Sequence, residues 1–197
     1  MKRLSFSLII ILTTFSLKIQ AQNKFISKLY PNEITVQYAG NIGLVSAGPT
    51  WNYAKNECLS TTLMLGYVPG YLGNKSTVCL SLSKIYTPWH ITWKNKMGFE
   101  PLTVGVMVSS IFGKDYWLVE PNYYPDNYYG FSTSLRFYLI FGQQFDLIKI
   151  NNSNKIKKVA LYYQFNASEL RIIDAFNSKY LKMYDILGLA LGIKVHF

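Results

Sequence analysis

The last twelve residues, from Ile186 to Phe197, constrain the fold more than any other segment. From Leu187 onward the odd positions carry only Leu, Ile, Val and Phe, whereas the even positions carry Gly, Ala, Lys and His. Because successive side chains of a β-strand point to opposite faces, this alternation predicts a strand with one apolar and one small or polar face. A transmembrane β-barrel uses that pattern, since lipid surrounds its wall and its lumen is polar.

Seven further segments alternate with the same period of two. They are residues 33–40, 44–53, 59–68, 77–86, 102–111, 130–143 and 157–166. Hydrophobic residues make up 50% of the chain, yet no later apolar run approaches the roughly 20 residues of a spanning helix. We therefore expect an all-β fold, an eight-stranded antiparallel transmembrane β-barrel with a short helix in the last extracellular loop.

The third and fourth predicted strands can be aligned so that like side chains face each other. Placing Leu65 beside Val78 also places Met64 beside Cys79, and apolar residues then meet apolar ones along the pair. In that register the thiols of Cys58 and Cys79 lie about 20 Å apart along the strands. A disulfide needs α-carbons within about 7 Å, so two free thiols are predicted.

The N-terminal segment has the composition of an export signal. Met1-Lys2-Arg3 is basic, residues 4–15 are mostly apolar, and Ala21 ends a segment typical of a cleavage site. We expect residues 1–21 to be a cleaved signal peptide and residues 22–197 to form the barrel.

The net charge of the chain is positive. Three of the 20 basic residues and none of the 10 acidic ones lie in the expected signal, so the remainder carries a net charge of +7. We attribute this charge to contact with anionic lipid phosphates at the membrane surface. No nucleic-acid-binding motif accompanies it, so nucleic acid is not an expected partner.

The chain resembles small outer-membrane β-barrel proteins of the Bacteroidota type. The resemblance covers residues 22–197 and rests on the signal-like start, the alternation and the terminal Lys194-Val195-His196-Phe197. It implies location in the bacterial outer membrane and contact with outer-membrane lipids and lipopolysaccharide. It also implies that Phe197 belongs to a signal read by the barrel assembly machinery.

Two predicted extracellular loops stand out. The loop at residues 115–129 is rich in rings that suit a recognition surface or contact with lipid headgroups: Trp117, Tyr123, Tyr124, Tyr128 and Tyr129. The last loop begins with Asn166, an expected helix cap, and Glu169, expected to return the capping bond. The apolar face of this helix, which includes Phe176, is expected to lie on the barrel rim in preference to a partner.

The predicted lumen is lined mostly by Ser, Gly and Ala, and an eight-stranded barrel of this kind fills its own interior. Arg136 is the one charge placed at mid-barrel, where it is expected to bond Tyr138, Tyr162, Gln164, water or an inserted loop. An anionic ligand is the alternative partner of Arg136.

The first and last strands must pair to close the barrel. Glu33 begins the first strand, and Lys194 and His196 end the last one. An ionic contact across this seam is therefore expected.

No catalytic, cofactor-binding or metal-ligating residues are predicted, because no metal cluster, phosphate loop or nucleophile elbow is found. Of the two histidines, His90 precedes Thr92 where a lipid A deacylase would need Ser, and both histidines fall at the predicted periplasmic end. We expect a non-enzymatic barrel that acts as a binding or accessory subunit of a larger envelope complex. A lipid A-modifying or acyl-chain-binding or transporting barrel is the alternative.

Overall fold

The segments of alternating polarity form the strands of one antiparallel sheet, in which most neighbouring strands follow each other along the chain. The computed structural model describes residues 30–71, 75–93, 97–113, 116, 133–149, 156–177 and 186–197. These ranges contain nine strands, one α-helix and a 3-10 helix at Lys55–Glu57. The strands and the α-helix are, in chain order, β1 Glu33–Ala39, β2 Val45–Tyr53, β3 Leu59–Val68, β4 Thr77–Tyr86, β5 Ile91–Trp93, β6 Met97–Phe112, β7 Leu135–Lys149, β8 Lys158–Ser168, α1 Glu169–Asn177 and β9 Leu187–His196.

Eight of these strands form a closed antiparallel ring. The sheet runs β4-β3-β2-β1-β9-β8-β7-β6, and β4 pairs with β6 to close it. The short β5 pairs only with the first residues of β6, so it forms a hairpin beyond the ring. The predicted eight-stranded antiparallel β-barrel with one short helix before the last strand is confirmed.

The two ends of the barrel differ. We call the end at which β1 begins and β9 ends the terminal end, and the opposite end, where α1 follows β8, the helix end. The predicted signal peptide, residues 1–21, and the Tyr-rich loop residues Trp117, Tyr123, Tyr124, Tyr128 and Tyr129 lie outside the described residues.

The outer wall is apolar on every strand of the ring. Exposed side chains on this wall include Val36, Val45, Leu65, Leu82, Val106, Leu139, Leu161 and Leu191. Their neighbours along each strand face the lumen and are buried or half-buried, as the period of two requires. In the described part of the chain, no helix is long and apolar enough to cross a membrane.

The lumen is filled in layers. Near the helix end, a buried apolar cluster consists of Ile42, Met64, Met107, Tyr138 and Ile140. Further toward the terminal end, the hydroxyls of Thr35, Thr50 and Thr62 form a chain with oxygen distances of 2.7 and 2.9 Å. Hydrogen bonding between side chains of neighbouring strands therefore satisfies these hydroxyl groups, which the barrel has removed from water.

The predicted register of β3 and β4 is wrong by two residues. Leu65 pairs with Leu80 and not with Val78, and Met64 pairs with Ser81 and not with Cys79. A shift by two keeps every side chain on its own face, so the alternation alone does not distinguish the two registers. Cys58 and Cys79 are both free thiols.

The start of α1 differs from the prediction. Asn166 belongs to β8 and its Nδ2 donates to the carbonyl of Gly40 at 2.6 Å, so it does not cap the helix. Ser168 takes that place, and its Oγ accepts from the backbone N–H of Arg171 at 3.4 Å. Glu169 is directed to β7, where it accepts from the N–H of Phe137 at 2.9 Å.

Candidate functional site

Charged side chains gather inside the terminal end of the barrel. They come from separate elements: Glu33 from β1, His90 from the segment before β5, Glu100 from β6, Asp146 from β7, Lys158 from β8, and Lys194 and His196 from β9. We call these seven residues the terminal cluster. Closure of the ring places them together, because each lies near the terminal end of its strand or connection.

His90 lies between two carboxylates. Its Nδ1 is 3.3 Å from Glu100 Oε1, and its Nε2 is 3.8 Å from Asp146 Oδ2. The imidazole is 41% exposed, whereas the Asp146 side chain is only 6% exposed. Ligand atoms from these three residues all lie within 4.8 Å of one another, a spacing that a metal ion can span.

Asp146 has two further partners. The Nζ of Lys158 lies 3.0 Å from Asp146 Oδ2, and the Nε2 of Gln144 donates to Asp146 Oδ1 at 3.1 Å. Gln144 is 4% exposed, and its Oε1 has no hydrogen-bond partner among the described residues. Among the described residues Ser81 Oγ, Ser109 Oγ and Asn166 Oδ1 are also buried without a partner, and such atoms call for water or an ion as a partner.

The seam residues form a second contact in the cluster. Glu33 lies opposite His196 in the β1–β9 pairing, and Glu33 Oε1 is 3.3 Å from His196 Nδ1. Lys194 is buried, and its Nζ lies over the ring of Tyr162 at 5.3 Å from the centroid. The two charged residues of β9 therefore have different partners, and Lys194 faces the lumen side of the seam.

A cavity of about 110 Å³ lies beside these residues, and Glu33, His90, Glu100, Gln144, Lys158 and Lys194 are among the residues that line it. A water molecule occupies roughly 30 Å³ of liquid, so the cavity has room for an ion with a few waters. Its position makes the terminal cluster a candidate binding site.

The four residues predicted as the polar lumen do not form one group. Tyr162 and Gln164 both donate to Gln37 Oε1, at 2.8 and 3.1 Å, in the middle of the lumen. Tyr138 belongs to the apolar cluster near the helix end.

The placement of Arg136 at mid-barrel is wrong. Arg136 is the second residue of β7 and lies at the helix end, where its Nη1 is 3.7 Å from Glu169 Oε1. No carboxylate is predicted at its depth, because Glu169 is expected in the last loop. Asp146 and Lys194 are two further buried charged residues, and both lie near the terminal end of the barrel.

The alternation pattern does not predict Asp146 and Glu100 as lumen residues. The sixth predicted strand ends at residue 143, whereas β7 continues to Lys149 and carries Asp146 inward. Residues 88–101 are predicted as a long turn, whereas the segment contains β5 and the start of β6. The alternation of Gln144 and Asp146 with Phe145 and Leu147 is the signal that extends the strand.

A second candidate surface lies outside the barrel at the helix end. α1 and the wall of β6 and β7 enclose an apolar groove of about 530 Å³, which we call the helix groove. Its lining includes Val106, Val108, Phe137, Leu139, Ile172 and Ile173. Phe176 at the end of the same helix is 87% exposed.

Comparison with known proteins identifies no relative that would assign a role to either surface. No family model, no curated protein and no solved structure matches the chain significantly.

Proposed function

We propose that this chain is an outer-membrane β-barrel, exported by a cleaved signal peptide, that acts without catalysis as a binding or accessory subunit of a larger envelope complex. The apolar outer wall supports a membrane location, because such a surface is costly in water and favourable in lipid. The filled lumen supports a binding role over a porin role, because eight strands leave little space inside.

The observation that carries the binding role is the helix groove. In soluble monomeric proteins large apolar patches seldom stay uncovered, and on a barrel wall lipid can cover them. Phe176, however, lies on α1 and not on the wall. Here Phe176 is 87% exposed and Ile173 is exposed beside the groove. We propose that an apolar segment of another envelope protein covers this face.

The groove also favours a second candidate, the binding of an acyl chain. Its lining is apolar apart from Tyr138 and Glu169, which suits a hydrocarbon chain of a membrane lipid. A lipid A deacylase is less well supported. In the described part of the chain, the hydrogen bonds of His90 and His196 are with carboxylates and not with a serine.

Site-specific photo-crosslinking in cells of the native host tests the proposal. The photoreactive residue p-benzoylphenylalanine replaces Phe176 in one variant and Leu65, an exposed residue of the outer wall, in a matched control. We expect position 176 to give one adduct of defined protein mass and position 65 to give lipid adducts only. Lipid adducts alone at position 176 would instead favour acyl-chain binding, and recovery of the chain outside the membrane fraction would contradict the membrane location.

A further inference from the structure

We propose that the terminal cluster contains a binding site for one divalent transition-metal ion, with Zn²⁺ as the best fit. His90 Nε2 and Asp146 would bind the ion, and Gln144 would supply a third ligand through its amide oxygen. Glu100 would act as a positioning residue that holds the imidazole. This inference does not depend on the proposed function, since it concerns the opposite end of the barrel from the helix groove.

The spacing of the two main ligands fits a metal ion. Zinc bonds to imidazole nitrogen and carboxylate oxygen are about 2.0–2.2 Å long, so two ligands of a tetrahedral ion lie about 3.4 Å apart. His90 Nε2 and Asp146 Oδ2 are 3.8 Å apart. A shift of a few tenths of an ångström would bring both atoms to bonding distance.

The second nitrogen of His90 already has the partner that metal-bound histidines usually have. A histidine that binds a metal through one nitrogen commonly donates the other N–H to a carboxylate, which fixes the orientation of the ring. His90 Nδ1 lies 3.3 Å from Glu100 Oε1. The contact with Glu100 therefore holds the imidazole so that its other nitrogen, Nε2, points to Asp146.

Gln144 gives independent support. Its side chain is more than nine-tenths buried, lines the cavity and donates to Asp146 through Nε2, while Oε1 has no partner among the described residues. A carbonyl oxygen is a suitable ligand for a cation, and an ion bound beside Gln144 would give this oxygen a partner.

The charge of the described cluster leaves room for a cation. Glu33, Glu100 and Asp146 face Lys158 and Lys194, so with both histidines neutral these five side chains carry one net negative charge. Lys158 already contacts Asp146 Oδ2 at 3.0 Å and would compete with an ion for that oxygen. A set with one imidazole favours Zn²⁺ over Mg²⁺ and Ca²⁺, which prefer oxygen ligands alone.

Isothermal titration of the purified full-length barrel in detergent, with a tag that contains no histidine, tests the inference. We expect the wild-type chain to bind one Zn²⁺ ion and to bind Mg²⁺ far more weakly. His90→Gln and Asp146→Asn should each lower the Zn²⁺ affinity by more than about 100-fold, and Glu100→Gln by about 10-fold to 100-fold. Asp174→Asn is the matched control, because it makes the same chemical change as Asp146→Asn at an exposed residue of α1, at the opposite end of the barrel.

Lys158→Met tests whether the cluster binds a metal ion or consists only of ion pairs between its own side chains. It removes the cation beside Asp146 while it leaves the proposed ligands in place, so we expect Zn²⁺ to bind more tightly. Each variant is used only if its circular dichroism spectrum matches that of the wild type. The inference is overturned if the folded wild-type chain shows no saturable Zn²⁺ binding, or if His90→Gln and Asp146→Asn bind Zn²⁺ as well as Asp174→Asn.

Discussion

At the scale of single residues, Tyr162 joins strands that are far apart in sequence. Its hydroxyl donates to Gln37 Oε1 at 2.8 Å inside the lumen, and both side chains are buried. We expect Tyr162→Phe to lower the free energy of unfolding by about 1–2 kcal/mol, because a buried acceptor loses one of its two donors. Denaturant unfolding of the barrel in detergent or lipid measures this difference.

Tyr67→Phe is the control for that experiment. Tyr67 is exposed on the outer wall, so the loss of its hydroxyl should change the free energy of unfolding by less than about 0.5 kcal/mol. Equal effects of the two substitutions would mean that the Gln37–Tyr162 bond adds nothing to stability.

Gly98 permits the close approach on which the proposed metal site depends. It pairs with Asp146, and a β-carbon at Gly98 would lie 2.6 Å from Asp146 Oδ2 and 3.0 Å from His90 Cε1. We expect Gly98→Ala to displace this carboxylate and to lower Zn²⁺ affinity by about tenfold or more, although no charge changes. The titration used for the ligand variants measures it.

Gly70→Ala is a suitable comparison for Gly98→Ala. Gly70 lies in the connection between β3 and β4 at the helix end, far from the terminal cluster. It should leave Zn²⁺ affinity unchanged. Wild-type affinity in Gly98→Ala would argue against Asp146 as a ligand.

The sequence predicts some residues of the terminal cluster and not others. Glu33 and His196 are predicted at the seam because the first and last strands of a closed barrel must pair. Glu100 and Asp146 are not predicted, because Glu100 falls in a predicted connection and Asp146 beyond a predicted strand end, where a pattern of period two is shortest and least informative. No short motif links His90 to Asp146, which lies 56 positions later in the chain.

At the scale of secondary structure elements, the limits of the alternation pattern become clear. The bounds of β3 and β4 agree with the prediction, whereas their register differs by two residues. The alternation decides which face a residue occupies, and turn geometry decides the register. Residues 72–74 of the connecting turn lie outside the described part of the chain.

A β-bulge decides where Glu100 points. The pairing of β6 with β7 shifts between Glu100 and Thr103, so both residues face lumen positions of β7 although regular alternation would separate them. Pro101 lies inside the shift, where the missing backbone donor is tolerated. Sequence alternation extended from Thr103 through this point would place Glu100 on the outer wall.

Helix α1 is attached to the barrel through Glu169. Its carboxylate accepts from the N–H of Phe137 and lies 3.7 Å from Arg136. We expect Glu169→Ala to increase amide hydrogen exchange in α1 by about tenfold, because a charge-assisted bond worth about 1.5 kcal/mol is lost. Hydrogen–deuterium exchange with mass spectrometry measures this change.

Asp174→Ala is the control for the helix, because Asp174 is exposed on α1 and has no contact with β7 among the described hydrogen bonds. Exchange in the ring strands should stay the same in both variants. If Glu169→Ala exchanges no faster than Asp174→Ala, other contacts hold the helix in place.

At the scale of the whole molecule, the filled lumen separates two different ends. The apolar cluster around Met64 and Met107 and the hydroxyl chain around Thr50 lie between the terminal cluster and the helix end. The two proposed activities therefore use different surfaces, a charged site inside the barrel and an apolar groove outside it. Loss of Zn²⁺ binding should leave crosslinking at position 176 unchanged.

Phe197 provides the last prediction, which concerns assembly of the whole barrel. Its backbone N–H donates to the carbonyl of Asn32 at 3.1 Å, whereas its side chain is 39% exposed. Closure of the barrel therefore uses the backbone of Phe197 and leaves its phenyl group accessible to another protein. On the proposal that the chain is an outer-membrane barrel, we expect the assembly machinery to bind this exposed aromatic side chain.

We expect Phe197→Ala to reduce the amount of folded barrel in the outer membrane severalfold, while the purified variant refolds in detergent as the wild type does. Phe112→Ala is the control, since Phe112 is an exposed aromatic residue that ends β6 at the helix end of the barrel, away from Phe197. Membrane fractionation in cells and circular dichroism of the refolded proteins measure the two effects separately. If Phe197→Ala also prevents refolding in detergent, the phenyl group of Phe197 stabilises the seam between β1 and β9. Recognition by an assembly partner would then not be needed to explain the smaller amount of folded barrel in the membrane.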